Sequence, residues 1–173
     1  MTSKKILLVG ANGYVGRRFL ERTGDKYNVL SIDSLLKSGE LPDYIEHKDY
    51  RDLSESFLKD IDICLWVAGY SSVPLSKDNP IDCYQNNYSG LVDFLEKFKG
   101  LLIYASSGSV YANAAGAICS EETPIGRPEN IYDYTKISFD NYVKIMDKKY
   151  VGLRFGTVDG GSPRIREEVL LNR

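Results

Sequence analysis

Short apolar runs recur along the chain, separated by stretches long enough to hold a helix. Within each run the apolar residues are mostly consecutive rather than alternate, which is typical of strands buried on both faces. Such strands belong to parallel sheets, because helices then cover both sides of the sheet. The predicted strands are Lys5–Val9, 27–32, 62–68, 101–105 and Tyr150–Phe155.

Amphipathic stretches between these runs predict helices at 15–22, 53–58, 82–98 and 132–146. In the last of them, Ile137, Tyr142, Val143 and Ile145 supply the apolar positions. Residues 107–130 have no clear period, so they are predicted to form a long loop after a strand, and loops of that length are often functional. Strands that alternate with helices predict the α/β class, as one doubly wound parallel sheet.

Composition places the chain among single-domain intracellular proteins. Its 173 residues, 43% of them hydrophobic, can bury one substantial core. The formal net charge is −2 and the basic residues are scattered, so no nucleic-acid partner is expected. Cys64, Cys83 and Cys119 lack the spacing of metal ligands, which predicts reduced thiols and no metal. The residues before the first strand are too short for a signal peptide or a membrane span, so a soluble, cytoplasmic protein is expected.

A glycine-rich turn joins the first predicted strand to the first predicted helix. Gly10 permits a tight turn, Gly13 lets backbone amides approach a pyrophosphate, and Gly16 lets the helix pack closely on the strand. Asp33 follows the second strand, where a carboxylate binds both ribose hydroxyls and repels a 2′-phosphate, so NAD is predicted rather than NADP. The predicted Rossmann-type cofactor site comprises Gly10, Asn12, Gly13, Tyr14, Val15, Gly16 and Asp33.

A serine, a tyrosine and a lysine form a candidate catalytic group. Tyr132 and Lys136 are four residues apart, so both side chains lie on one face of a helix. The ammonium would favour the phenolate of a tyrosine, whose free pKa of roughly 10 is too high for a base at neutral pH. Ser107 lies where the fourth predicted strand ends, the edge at which ligands bind such sheets, and could hold the same substrate oxygen.

These motifs resemble the extended short-chain dehydrogenase/reductases, the NAD-dependent epimerase/dehydratase family that includes UDP-galactose 4-epimerase. The resemblance covers nearly the whole chain, and the motifs come in the order found in the family. Besides those already named, they are Asp49-Tyr50-Arg51-Asp52, Val67-Ala68-Gly69, Asn86-Asn87-Tyr88-Ser89-Gly90, Tyr104-Ala105-Ser106-Ser107-Gly108-Ser109-Val110-Tyr111 and Leu153-Arg154-Phe155-Gly156-Thr157-Val158.

The resemblance implies a role for each matched position. Asp49 and Tyr50 would flank the adenine, and Asn87 is similar to the asparagine that family members place on a helix near the site. Residues lining the path of the cofactor would be Val67, Ala68 and Gly69. By the same resemblance Tyr132 is the base, Ser107 polarises the substrate oxygen, and Lys136 also bonds the nicotinamide ribose.

The resemblance also implies a nucleotide-sugar substrate, from whose ring NAD takes a hydride. Family 4,6-dehydratases usually carry an acidic residue two places after the catalytic serine or threonine, because elimination of water needs an acid and a base. This chain has Gly108 and Ser109 after Ser107, which favours an epimerase. A dehydratase or reductase of the same family, and a non-catalytic NAD-binding module, remain alternatives.

Residues 1–157 are predicted to be the NAD-binding domain with the catalytic residues, and 158–173 the start of a C-terminal substrate-binding region that is largely absent. A turn leading into a further helix is predicted at 162–170. The chain could be a fragment, could receive its missing half from a partner, or could be truly short. The resemblance further implies a homodimer through the long helices that begin near Asp82 and Tyr132.

Overall fold

The central feature of the protein is a six-stranded sheet in which every neighbouring pair of strands is parallel. The computed structural model describes residues 4–34, 40–114 and 116–163. The strand order is β3-β2-β1-β4-β5-β6, so the order reverses between β1 and β4, where such sheets form a ligand crevice. The strands are β1 (Lys5–Val9), β2 (Asn28–Asp33), β3 (Glu46–His47), β4 (Ile63–Trp66), β5 (Leu101–Ser107) and β6 (Tyr150–Phe155).

In the described residues, six α-helices, one π-helix and two 3-10 helices connect these strands. The α-helices are α1 (Tyr14–Thr23), α2 (Glu55–Leu58), α3 (Val73–Asp78), α4 (Pro80–Tyr84), α5 (Gly90–Lys97) and α6 (Ile131–Lys144). A π-helix (Gln85–Ser89) lies between α4 and α5, and 3-10 helices form at Tyr50–Asp52 and Gly108–Ala114. Within the described residues, no helix is long and apolar enough to cross a membrane.

Local capping chemistry explains where several helices begin. The side chain of Asn130 caps α6 by accepting a hydrogen bond from the backbone N–H of Asp133 (2.9 Å). Ser72 caps α3 in the same way, and Pro74 fits its first turn because that position has no intrahelical donor to lose. The Asn130 cap thus fixes where α6, which carries the candidate base, begins.

The two faces of the sheet bury separate apolar clusters because successive strand residues point to opposite sides. On one face, Trp66 lies at the centre, with the rings of Tyr50 and Phe94 at 4.7 and 4.9 Å from it. On the other face Leu8 packs against Phe19 of α1. Full burial of one such large side chain stabilises a fold by about 1.5 to 3 kcal/mol, so these clusters hold the sheet and its helices together.

The predicted α/β architecture is confirmed, with local differences, among them α3, which was not predicted. β3 has only two residues, too few to produce a hydrophobic pattern, and it was not predicted. The helix predicted at 82–98 consists of α4, the π-helix and α5. The loop predicted at 107–130 contains a 3-10 helix, and the helix predicted at 162–170 lies mostly outside the described residues. The division into 1–157 and 158–173 remains a prediction.

Candidate functional site

The glycine turn follows β1 directly and lies against the end of β4. Gly10 adopts φ +87°, and a Cβ there would lie 2.5 Å from the backbone nitrogen of Ala68, so a larger residue would be strained and would clash. A Cβ on Gly16 would collide with the carbonyl of Gly10. The turn and the first turn of α1 are therefore pressed together, as the sequence predicted.

The start of α1 offers backbone donors to a ligand. Among the described residues no side chain caps this helix, whose first N–H groups have no intrahelical partner. Tyr14 and Val15 are its first two residues, so their amides face the end of the sheet where the crevice lies. A phosphate fits such a helix end because backbone donors and the helix dipole both favour negative charge.

Asp33 and Asn12, both predicted for the cofactor site, are in direct contact. The carboxylate of Asp33 accepts a hydrogen bond from the backbone N–H of Asn12 at 2.9 Å. Asn12 is only 3% exposed, and its side-chain nitrogen has no hydrogen-bond partner within the described part of the chain. A buried donor without a partner is costly, so this nitrogen is suited to an acceptor supplied by a ligand.

Asp49 and Tyr50 lie at the 3-10 helix that follows β3. The carboxylate of Asp49 accepts hydrogen bonds from the backbone N–H and the guanidinium of Arg51 (2.8 Å each), and this pairing lowers the pKa of Asp49. The ring of Tyr50 is buried against Trp66, and its hydroxyl points at Gly90 of α5. The phenol of Tyr50 thus belongs to the core, which leaves its backbone for the predicted adenine contact.

The side chain of Asn87, in the π-helix, forms hydrogen bonds with the segment after β4 and with α6. Its side chain accepts a hydrogen bond from the N–H of Tyr70 (2.7 Å) and donates to the carbonyl of the same residue (2.9 Å). It also donates to the hydroxyl of Thr135 on α6 (3.4 Å). Asn87 therefore fixes the segment after β4, where Val67, Ala68 and Gly69 lie, relative to the helix of the candidate base.

The strand β5 delivers Ser107 to the same edge of the sheet. Its hydroxyl accepts a hydrogen bond from the N–H of Ser109 at 3.1 Å, and the residue is 8% exposed. The neighbouring Ser106 hydroxyl is buried and has no hydrogen-bond partner among the described residues. Two serine hydroxyls thus end β5 at the position predicted for substrate recognition.

Tyr132 and Lys136 lie on the first two turns of α6. The ammonium of Lys136 donates to the carbonyl of Ala105 on β5 (2.8 Å) and lies 5.7 Å from the centre of the Tyr132 ring. Burial lowers the pKa of Lys136 to about 8, although the charge of Asp140 opposes this shift. The lysine therefore links the candidate base to the strand that carries Ser107, and perturbed groups of this kind are common at active sites.

Polar residues that were not predicted from the sequence form a network next to this lysine on α6 and the adjoining strands. Asp140, on α6, is 3% exposed and contacts Tyr104 and Arg154, while Thr135 donates to the carbonyl of Tyr132 (2.7 Å). The four-residue spacing of Lys136 and Asp140 was a usable signal, because such pairs share a helix face. No sequence signal indicated the contacts of Arg154 and Tyr104, because these contacts depend on how β5 pairs with β6.

A long-range contact joins the segment after β6 to the start of α1. The hydroxyl of Tyr14 donates to the carbonyl of Gly160, and the hydroxyl of Ser162 donates to the carbonyl of Tyr14 (2.9 Å). We call Tyr14, Gly160 and Ser162 the clasp. It holds the segment after β6 against the start of α1.

Metal ligation is not supported by the side chains that the structure describes. Over residues 4–34, 40–114 and 116–163, no group of three or more His, Cys, Asp and Glu side chains could hold a metal ion.

Comparisons with known proteins agree with the α/β fold described above. The sequence model of the NAD dependent epimerase/dehydratase family matches residues 6–163. The chain is similar to a UDP-glucose 4-epimerase of Lactobacillus helveticus, with 29% identity over 91% of the chain and 53% of the relative. It thus spans about half the length of that relative.

Two solved structures share the fold. A UDP-N-acetylglucosamine 4-epimerase from Methanobrevibacter ruminantium M1, in complex with UDP-N-acetylmuramic acid, matches with a TM-score of 0.77 and 27% identity, over 89% of this chain and 55% of that one. An NAD dependent NDP-hexosamine 5,6-dehydratase, TunA, matches with a TM-score of 0.78 over 93% and 57%. Its identity is 22%, so it supports the fold alone.

Proposed function

The chain belongs to the NAD dependent epimerase/dehydratase family, and on this premise we propose that it binds NAD and takes part in nucleotide-sugar epimerisation. NAD, the cofactor predicted from the sequence, is the cofactor of this family. The observation that carries the proposal is the bond from Lys136 to Ala105, which holds the ammonium between the Tyr132 ring and the strand of Ser107.

The residues at the glycine turn fit a dinucleotide. A Cβ on Gly10 or Gly16 would fill the space in which the turn and α1 meet. The buried nitrogen of Asn12 lacks an acceptor in the described chain, and Asp33 is held beside the turn by the Asn12 backbone. The groups proposed to hold the pyrophosphate and the adenosine ribose are Gly10, Asn12, Gly13, Tyr14, Val15, Gly16 and Asp33.

The remaining cofactor contacts are proposed by position. Asp49 and the backbone of Tyr50 would lie at the adenine, and Val67, Ala68 and Gly69 would line the path towards the nicotinamide. Lys136 would hold the nicotinamide ribose. Asn87 would act indirectly, because its side chain is occupied by Tyr70 and Thr135.

For the chemistry, Tyr132 would take the proton of a sugar hydroxyl while Ser107 holds the same oxygen. The ammonium of Lys136 stabilises the phenolate that this transfer needs. NAD, when bound, would supply reversible hydride transfer at the ring carbon, and that carbon would be inverted when the hydride returns to its opposite face.

Epimerisation is favoured over dehydration by the two residues after Ser107. Elimination of water needs an acid next to the sugar, whereas the residue two places on is Ser109, whose N–H donates back to Ser107. A neutral Ser109 in this position supplies no strong acid. The choice between the two reactions is decided by the product, which is a stereoisomer for an epimerase and a molecule lighter by one water for a dehydratase.

The test combines binding and turnover. Calorimetric titration with NAD and NADP should give binding of NAD with a clear preference over NADP, and UDP-glucose should bind further once NAD is saturating. Tyr132→Phe should abolish turnover and retain NAD binding, while Tyr134→Phe, an exposed tyrosine on the same helix, should change neither. Failure of both dinucleotides to bind would refute the proposal.

A non-catalytic NAD-binding module is the second candidate, because the chain spans 53% of its epimerase relative. The part of that relative outside the matched length could supply its substrate contacts. NAD binding without any affinity for a panel of nucleotide sugars would favour this second function. Turnover of any nucleotide sugar would exclude it.

Self-association is proposed through the helical face that α4 and α6 present. Ile81, Tyr84 and Tyr134 are exposed on these helices by 71%, 37% and 45%, more apolar surface than a monomer needs there. We expect a homodimer, and sedimentation of only monomer at micromolar concentration would exclude it.

Cys64, Cys83 and Cys119 are free thiols, which fits the proposed cytoplasmic location.

A further inference from the structure

A buried hydrogen-bonded network lies behind the candidate catalytic pair. The carboxylate of Asp140 accepts a hydrogen bond from the hydroxyl of Tyr104 (2.8 Å) and pairs with the guanidinium of Arg154 (2.9 Å). Arg154 also donates to the hydroxyl of Tyr111, over whose ring it lies at 5.1 Å. One carboxylate thus joins α6 to β5 and β6, and Arg154 extends the network to the 3-10 helix that follows Ser107.

A glycine in β6 leaves room for the hydroxyl of Tyr104 in this network. Tyr104 and Gly152 are directly opposite each other in β5 and β6. A Cβ on Gly152 would lie 2.6 Å from the Tyr104 hydroxyl, so only glycine lets that hydroxyl reach Asp140. Glycine weakens a strand, and its presence inside β6 is explained by this approach.

Asp140 also acts on Lys136. The two residues are four apart on α6, so their side chains share a face. Burial lowers the pKa of Lys136 to about 8, and the charges of Asp140 and of Cys83 on α4 act in the opposite direction. The ammonium of Lys136 donates a hydrogen bond to the carbonyl of Ala105 on β5, and it lies beside the ring of Tyr132 on its own helix. Asp140 is thus the carboxylate that offsets the cost of burying the ammonium.

We propose that Asp140, held by Tyr104 and Arg154, is a positioning residue that keeps the ammonium of Lys136 charged and directed beside Tyr132. The inference rests on the proposed function, because it assigns Tyr132 and Lys136 to the catalytic pair. Arg154 binds one oxygen of the Asp140 carboxylate, and the ammonium of Lys136 donates to the carbonyl of Ala105. Tyr104 fixes the second oxygen of the carboxylate.

The test measures the protonation of Lys136 directly, without cofactor or substrate. Lysine labelled with ¹³C at the ε carbon is titrated by NMR, and the Lys136 signal is assigned by its loss in Lys136→Met. We expect Asp140→Asn to lower the pKa of Lys136 by roughly one unit or more, the size expected when a neighbouring opposite charge is lost. Tyr104→Phe removes the hydroxyl that donates to Asp140 but keeps the charge of the carboxylate, so it should leave the pKa of Lys136 close to its original value.

Two controls make the result decisive. Asp147→Asn removes an exposed carboxylate just after α6 and should leave the Lys136 pKa unchanged. If Asp140→Asn does not fold because the half-buried Arg154 loses its carboxylate partner, the double variant Asp140→Asn with Arg154→Met removes both charges and should still lower the Lys136 pKa. An unchanged pKa in the folded variant, or an equal fall in Tyr104→Phe, overturns the inference.

The outcome is separable from that of the proposed function. If the chain turns over a nucleotide sugar, Asp140→Asn should move the alkaline fall in activity to lower pH, because Lys136 then loses its proton earlier. If the chain binds NAD without turnover, the NMR titration still decides whether Asp140 sets the charge of Lys136.

Discussion

The backbone amide of Asn12 donates a hydrogen bond to the carboxylate of Asp33, so the glycine turn is joined to the end of β2. One oxygen of the Asp33 carboxylate therefore accepts a hydrogen bond from the protein itself, and the proposed ribose contact would be made by the same carboxylate. The sequence separation of 21 residues hides this contact from local patterns.

This relationship predicts the effect of Asp33→Asn. The neutral amide loses hydrogen-bond strength towards the ribose and no longer repels a 2′-phosphate, so NAD should bind about tenfold more weakly, and the preference over NADP should shrink. Calorimetric titration measures both affinities. Asp43→Asn, at an exposed aspartate in the loop after β2, is the control and should leave them unchanged.

The glycine turn predicts a large loss of stability from a small change. Gly10→Ala forces a side chain into positive φ and into the backbone of Ala68, which should lower the free energy of unfolding by about 2 kcal/mol or more. Gly156→Ala should change it by less than about 0.5 kcal/mol, because open space surrounds that residue. Urea unfolding of both variants gives the comparison, and equal stabilities would contradict the packing described for the turn.

Asn87 predicts a coupled effect on stability and cofactor binding. Asn87→Ala leaves the N–H and carbonyl of Tyr70 without their partner, which should cost about 1 to 3 kcal/mol and loosen the segment after β4. NAD affinity should fall with it. Asn86→Ala removes a bond within its own helical segment, to the carbonyl of Asp82, and should lower stability without weakening NAD binding. Equal loss of affinity in both variants would argue against the role of Asn87.

Lys136 predicts a stability that depends on pH. Its folded pKa of about 8 is below the ordinary value of 10.5, so folding is opposed most strongly below pH 8, where the buried ammonium is charged. Lys136→Met should therefore raise the free energy of unfolding at pH 7 by about 1 to 3 kcal/mol, and this gain should vanish as the pH rises towards 10.5.

Thermal unfolding across this pH range tests the prediction. Lys144→Met, at an exposed lysine on the same helix, should show no comparable gain. A gain for Lys136→Met that does not vary with pH would mean that packing, rather than the burial of charge, is responsible.

The sequence was informative wherever a function depends on neighbours along the chain. The turn from Gly10 to Gly16 and the pair Tyr132 and Lys136 are local patterns, and the structure places them on the predicted strand end and helix. The family resemblance is confirmed by the match over residues 6–163. The assignment of individual site residues remains a prediction.

Contacts made across strands could not be deduced. Tyr104 meets Asp140 only because β5 pairs with β6 in a register that sets Tyr104 opposite Gly152. Tyr50 matched a family motif, yet its ring entered the core because a large aromatic side chain beside Trp66 gains more from burial than from exposure. A pattern of residue types contains neither the register nor the competition for burial.

The clasp has a consequence for the order in which the protein matures. Tyr14 lies near the start of the chain, and its partners Gly160 and Ser162 are 146 and 148 residues away. During synthesis β1, the glycine turn and α1 emerge before β6, whereas the segment that carries Gly160 and Ser162 emerges after it. The start of α1 therefore gains these two contacts only once β6 has been made.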